Sequence, residues 1–434
     1  MPLKPIITTL AFGMMANVAY AKPMIIDGED KGTLDFMVKA ITVLDGKNNN
    51  FDPNYGTAEL LKMKYTSVRW NGINLVAGFY MDGDLLGNNL DNPSAQDRLA
   101  RGLYTSNDQG ANGLMGELKL TGQHGDFGWF VGRTLFNSPL TTSADSTMPS
   151  FHSGYGIDYK VNDSLRVSAT QINRIALGAR TATEWSLIGE GTGTAGTAIN
   201  PTATQAEFIS IADATIVNNT RKTNGISIVN LEVKPTQASQ ISLWNYYADD
   251  ISNNFYINGE QKFKLANQDS VKLQAQLLNQ QEIGAALGGQ RDFNLLGAQA
   301  TYIKPTWSAY LAANHSSGDS AMLNAWGGDP AYTSSTFSRN AYRENVTAYK
   351  LGGQYKITPN WILAASYADY GQSDTTVGSL SADTDATEFD MSLTWKYSKA
   401  LTFKVFHASR TSEYDTDSTD RTQAHSRLVV VWKY

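Results

Sequence analysis

The chain has 434 residues, 35 basic against 41 acidic, and no cysteine. Mild acidity gives no electrostatic case for nucleic acid, and without cysteine an exported chain has no disulfide framework. No stretch approaches the ~18 uninterrupted apolar residues of a membrane-spanning helix, so helical spans are excluded.

At the N-terminus, Lys4 precedes an apolar run from Ile6 to Val18 that is too short to span a bilayer, and Ala19-Tyr20-Ala21 follows with the small-x-small pattern of a signal-peptidase site. Residues 1–21 are expected to be a secretion signal, and residues 22–434 a single domain, because no linker divides them.

The pattern beyond is one of short strands. Tight turns are expected at Trp70-Asn71-Gly72, His124-Gly125-Asp126, Asn162-Asp163-Ser164, Lys234-Pro235-Thr236, Asn267-Gln268-Asp269, Lys304-Pro305-Thr306, Thr358-Pro359-Asn360 and Ser398-Lys399-Ala400. Around them lie β-rich segments at 33–43, 58–68, 73–81, 113–122, 127–135, 153–161, 165–174, 224–234 and 239–249. The series continues at 253–265, 270–281, 292–303, 307–317, 344–357, 361–371, 386–397, 401–412 and 421–434. Longer polar stretches alternate with the tight turns, at 44–57, 82–112, 136–152, 175–223, 282–291, 318–343, 372–385 and 413–420. About eighteen strands of this length and rhythm predict an all-β fold: a transmembrane antiparallel β-barrel with short periplasmic turns and long extracellular loops.

Alternation within single strands agrees. Val271, Leu273, Ala275 and Leu277 oppose Lys272, Gln274 and Gln276; Phe389, Met391, Leu393 and Trp395 oppose Asp390, Ser392, Thr394 and Lys396. At the C-terminus, Leu428, Val430, Trp432 and Tyr434 share an apolar face opposite Arg427 and Lys433. The register of Ile226–Val233 is ambiguous. A polar inner face repeated around a closed barrel predicts a wet lumen and not a packed core. Trp70, Trp129, Trp307, Trp361, Trp395 and Trp432 all fall near tight turns or the C-terminus, as an inner aromatic girdle requires.

Catalytic chemistry has little to stand on. The five histidines are scattered, and H-E-x-x-H, G-x-S-x-G and P-loop motifs are absent. An outer-membrane hydrolase with a spatially assembled triad stays open as an alternative, as does a surface adhesin barrel. Asp249-Asp250 and Asp415–Asp420 read as solvated loop surface or as divalent-cation contacts; no metal or cofactor is expected. With no room for an N-terminal plug, the expected activity is passive diffusion of small hydrophilic solutes.

The lumen-facing candidates are Lys39, Lys62, Lys64, Lys119, Lys272, Lys350, Lys404, Arg427 and Lys433. They form a cationic wall that draws anionic solutes, or they keep the lumen wet and balance Asp35, Glu117 and Asp158. The sharper expectation is a basic wall of Lys39, Lys62, Lys119, Lys350, Lys404 and Arg427. Two loops with glycine or proline kinks are expected to fold inward as a constriction. Loop 136–152 would bring Asp145 and Ser146, and loop 318–343 would bring Asp329 and Tyr332.

These residues resemble the OprD-type family of substrate-selective outer-membrane porins, including the related major porins of epsilonproteobacteria. The likeness runs from Thr33-Leu34-Asp35-Phe36-Met37-Val38-Lys39 through Gly78-Phe79-Tyr80-Met81-Asp82-Gly83-Asp84-Leu85-Leu86-Gly87 and Met115-Gly116-Glu117-Leu118-Lys119-Leu120 to Gly132-Arg133-Thr134. It continues in Pro149-Ser150-Phe151-His152-Ser153-Gly154, Leu243-Trp244-Asn245-Tyr246-Tyr247-Ala248-Asp249-Asp250 and Asp329-Pro330-Ala331-Tyr332-Thr333-Ser334, then Ala341-Tyr342-Arg343 and Ala348-Tyr349-Lys350. The resemblance implies an eighteen-stranded monomeric or homotrimeric channel with a basic ladder facing an acidic patch. It also implies passage of amino acids, small peptides or carboxylates, in contact with outer-membrane lipid and lipopolysaccharide. The chain departs from that pattern where Asp145 is followed by Ser146-Thr147 in place of arginine. It departs again where Lys404 is followed on its face by Phe406. A general, non-selective porin is the alternative within the class.

Overall fold

The computed structural model describes residues 22–45, 54–87, 103–105, 110–141, 147–179, 206–215, 221–323, 326–336, 344–373, 385–413 and 421–434. The expected secretion signal, residues 1–21, lies outside them, as do Asp145 and Ser146. A short strand β1 (Lys22–Ile26) forms a hairpin with the start of β2 (Glu29–Asp45). The barrel continues with β3 (Asn54–Ser67), β4 (Ile73–Gly83), β5 (Asn112–His124), β6 (Phe127–Thr134), β7 (Phe151–Asn162) and β8 (Leu165–Ala176). A two-residue strand β9 (Ile209–Ser210) runs into a single helical turn, α1 (Ile211–Thr215). The wall resumes with β10 (Ile226–Thr236), β11 (Ser239–Ala248), β12 (Ser252–Lys264), β13 (Ser270–Glu282), β14 (Asp292–Ile303) and β15 (Trp307–Ser317). It ends with β16 (Thr347–Thr358), β17 (Trp361–Tyr370), β18 (Asp385–Lys396), β19 (Leu401–Glu413) and β20 (Arg421–Lys433).

Each wall strand pairs antiparallel with the next, β8 pairs with β10, and β20 returns to β2 from Met37↔Lys433 to Asp45↔His425. Eighteen of the twenty strands therefore close a barrel without a free edge, which satisfies every ladder internally as a bilayer demands. Seven of the eight expected tight turns fall at the junctions of the observed strands; Lys234-Pro235-Thr236 instead ends β10, and the chain turns at Gln237 and Ala238. At Asn71 and Gly72 both residues have positive φ, 49° and 82°, the geometry that matches a two-residue turn to the strand twist.

Cross-strand register fixes the faces. Phe79, Leu118, Val131, Tyr155, Leu296, Leu311, Leu351 and Val405 point outward and are exposed, as a lipid-facing surface should be. At the tight-turn end, Trp361 and Trp395 stack at 4.9 Å and 8°, and Phe36 meets Trp432 edge-on at 5.7 Å. The register left ambiguous by sequence resolves with Ile226, Ile228, Asn230 and Glu232 inward, opposite Ile172, Thr170, Ser168 and Arg166.

That register corrects the expectation of a lumen without a packed core. Inward positions are polar toward the tight turns. Toward the long loops they become apolar at Ile172, Ile226, Ile228, Tyr246, Tyr256, Leu278, Phe293 and Leu295, all buried in one cluster. Loop segments fold in and cover them, so burial replaces water over that part of the wall.

Candidate functional site

Two segments, one from each of the loops 136–152 and 318–343, pack against the inner wall. Residues 136–141 follow β6: Ser138 and Thr141 bond through their hydroxyls at 2.8 Å, and Tyr246 donates to Ser138 Oγ at 2.9 Å. Residues 326–336 follow β15 and bury Trp326, 1 % exposed, with Leu140, Met322 and Leu323 against the apolar part of the wall. The two segments touch where the Gly328 amide donates to the Leu140 carbonyl at 3.2 Å. Gly328 has no side chain for a physical reason: an added Cβ would overlap the Pro139 carbonyl oxygen and the Leu140 backbone.

Inward side chains from several strands hold the second segment. Asn314 accepts from the Thr333 amide at 2.9 Å, Tyr370 donates to the Thr333 carbonyl, and Asp390 Oδ2 accepts from the amide and hydroxyl of Thr336 at 3.3 Å. With its amide turned to suit its neighbours, Gln276 donates to the Pro330 carbonyl at 2.8 Å and accepts from the Tyr332 amide at 3.1 Å. Lys350, 8 % exposed, donates to the Ser334 carbonyl at 2.7 Å and to Ser335 Oγ at 3.0 Å. Asp329 accepts from the Ala331 amide at 3.1 Å and from Ser334 Oγ at 2.6 Å, so its carboxylate shapes its own segment's turn. The Tyr332 hydroxyl is buried without a hydrogen-bond partner, and burial pushes its phenol up to about 12.

Sequence reasoning missed two further contributions. Leu103 and Tyr104 pack on the inward residues Ile41, Val43 and Ala58. Tyr104 donates to the Thr57 carbonyl at 2.7 Å, and Thr105 bonds Asp82. In α1, Ile211 and Ala214 join the large apolar cluster. Both sit inside stretches whose overall polarity hides a short apolar core.

The register places Lys404 (β19), Arg427 (β20), Lys39 (β2), Lys62 and Lys64 (β3) and Lys119 (β5) on the inner face of neighbouring strands. Between β2 and β5 the wall alternates in sign. Lys62 pairs with Asp35 at 2.7 Å, and Glu117, 2 % exposed, lies 3.3 Å from Lys64 and 3.7 Å from Lys119. Tyr80 donates to Glu117 at 2.8 Å, and Lys119 donates to Thr134 Oγ1 at 2.7 Å. Across β19 and β20, Lys404 lies 5.9 Å from the Phe406 ring centroid and Arg427 Nε lies 2.6 Å from His425 Nε2. Arg410, inward and buried, adds a cation that the alternation Lys404, Phe406, Ala408, Arg410 could have signalled. Lys350 stands apart from this group on β16.

Between β15 and β19 the wall opens a recess of about 250 Å³ lined by Tyr310, Gln354, Ser366, Asp390, Ser392 and Phe406. Asp390 Oδ1 is buried there without a hydrogen-bond partner. The lumen thus offers cations on one stretch of wall and hydroxyls with a carboxylate on another.

A closed barrel with an apolar belt, aromatic rings at the tight-turn rim and a charge-lined lumen narrowed by its own loops defines a channel of the porin class. The chain belongs to the OprD family: residues 130–434 match the family described as outer membrane porin, OprD family. It is therefore a passive channel of the Gram-negative outer membrane, admitting small solutes, and not an enzyme. Solved structures share the fold. OpdK of Pseudomonas aeruginosa with vanillate has a TM-score of 0.71 at 15 % identity, over 92 % of this chain and 98 % of that one. OccK2 (OpdF) of the same organism, in complex with glucuronate, has a TM-score of 0.68 at 12 % identity, over 95 % and 99 %. OccAB4 of Acinetobacter baumannii has a TM-score of 0.70 at 12 % identity, over 92 % and 97 %. None of the curated proteins matches the sequence.

Proposed function

We propose that the channel prefers small carboxylate-bearing solutes, amino acids among them, over neutral solutes of equal size. The observation that carries this reading is the run of cations on the inner faces of β19, β20, β2, β3 and β5: Lys404, Arg427, Lys39, Lys62, Lys64 and Lys119. In a narrow lumen with low-dielectric walls, such a run raises the local concentration of anions and orients them. Asp35 and Glu117 offset part of that field, so the preference is modest. Vanillate and glucuronate, seen with two proteins of similar fold, are both carboxylates, which supports the class of solute.

Lys350 and Asp329 act in this reading by holding the second infolded segment. Residues 1–21 serve as the export signal. Each chain encloses its own pore, so a monomer and a homotrimer would both conduct, with lipid and lipopolysaccharide around the belt. The test combines reversal potentials in planar bilayers with liposome swelling. Carboxylates should enter faster than their amides, and chloride should carry more current than potassium. Equal entry of acid and amide would reduce the protein to a general porin.

A further inference from the structure

The lipid-facing surface carries a row of cations that solute transport does not explain. Outward positions of β6, β7 and β8 run apolar through Trp129, Val131, Tyr155, Ile157 and Val167, then change character in one transverse row toward the long loops. That row pairs Arg133 of β6 with Ser153 of β7, and Ser153 with Arg174 of β8. The register slips by one residue between Ser153 and Gly154, and Gln171 reaches Asn173 at 3.1 Å on the same face. Such a bulge turns neighbouring side chains to one side.

Among the described outward positions of the barrel strands, Arg133 and Arg174 are the lysine or arginine residues. A guanidinium on a lipid-facing strand is costly at mid-membrane and tolerated only near the interface. The depth suits the interface. Tyr155 lies two residues from Ser153 and is 56 % exposed, and Tyr247, Tyr349 and Tyr367 occupy matching outward places near the long-loop ends of their strands. These rings mark the outer aromatic girdle, where acyl chains give way to headgroups. The arginine row sits one step beyond it.

Two inter-strand spacings put the Arg133 and Arg174 backbones about 10 Å apart, so both side chains can converge on a group above Ser153. Neither is in a salt bridge among the described residues. Arg133 stacks over the Phe208 ring at 4.6 Å and makes a long contact, 3.5 Å, to the Met115 carbonyl, while Arg174 is exposed.

We propose that Arg133 and Arg174, with the Ser153 hydroxyl between them, bind a phosphate group of the anionic glycolipid headgroups in the outer leaflet. Planar guanidinium forks match phosphate oxygens in pairs. This assignment stands independently of which solute passes the pore.

The test uses the full-length channel in detergent, with diphosphorylated lipid A as probe and bound lipid counted by native mass spectrometry. The parent should retain lipid A and gain thermal stability from it. Arg133→Gln with Arg174→Gln should weaken retention by roughly tenfold or more, the value of one lost charge-assisted hydrogen bond. Single-channel conductance of that double variant should equal the parent's, showing an intact barrel and a solute pathway untouched. Unchanged lipid A retention in the double variant would overturn the proposal. So would equal retention of dephosphorylated lipid A. An identical stabilisation by inorganic phosphate alone would overturn the lipid assignment in favour of a soluble anion.

Discussion

The amide of Gly328 donates to the carbonyl of Leu140 across 3.2 Å, so segments from two different loops bridge the inside of the barrel. Their contact is backbone to backbone, and it narrows the pore without a charged gate. Gly328→Ala should force the segments apart, because the added methyl has only rigid backbone to push against. The expected outcome is higher single-channel conductance and a larger solute-size limit in liposome swelling. Overpacking of this kind costs about 1–3 kcal/mol, readable as a lower unfolding temperature in detergent. Unchanged conductance would mean that the contact does not set the bore.

Lys350→Met keeps the aliphatic stem and removes the ammonium that holds Ser334 and Ser335. A hydrogen bond from a charged donor contributes about 1.5–3 kcal/mol, so residues 330–336 should exchange amide protons faster and current traces should flicker. Ion selectivity should shift little, since the ammonium is spent on the loop. A selectivity change as large as that of Lys404→Glu would show that Lys350 faces permeating ions.

Strand positions and faces were legible in the sequence because a period of two and recurrent turn residues are local signals. Gln274 and Lys272 face inward, and Leu273 and Leu277 outward, as their alternation requires. The family was legible from motifs spread along the chain. What touches what inside the lumen was not. Lys350 reads like any inward lysine until Ser334 arrives sixteen residues earlier in the chain. Asp329 reads like a constriction charge until Ser334 and the Ala331 amide occupy it. Leu103-Tyr104 and Ile209-Ile211 are too short for periodicity, and only docking onto Ile41 or Ile226 reveals them as core.

Charge reversal at two inner-wall lysines separates selectivity from folding. Lys404→Glu and Lys119→Glu should each move the reversal potential toward cations. They should differ in stability. Lys119 lies 3.7 Å from Glu117, which is 2 % exposed, so a second carboxylate there meets an unscreened like charge. Breaking such a pair costs about 3–5 kcal/mol. At Lys404 the cross-strand partners are Thr394 and Val429, which carry no charge. Heat-modifiability on gels should therefore fall more for Lys119→Glu than for Lys404→Glu. Equal loss in both would show that Glu117 does not depend on Lys119.

Tyr332→Phe should stabilise the barrel or leave it unchanged, although it deletes a polar group from the constriction segment. The hydroxyl is buried with no hydrogen-bond partner, and an unsatisfied buried hydroxyl costs about 1 kcal/mol or more. The alkaline limb gives a second reading. Burial raises the phenol from 10.0 to about 12, so the folded chain holds this proton more tightly than the unfolded one. Below pH 10 that difference has no effect on the pH dependence. Between pH 10 and 12 only the unfolded phenol ionises, and stability falls as the pH rises. Thermal unfolding of parent and Tyr332→Phe across that range should show a shallower decline for the variant. A decline of equal slope, together with a lower midpoint at neutral pH, would mean that the hydroxyl has a stabilising partner in the folded protein.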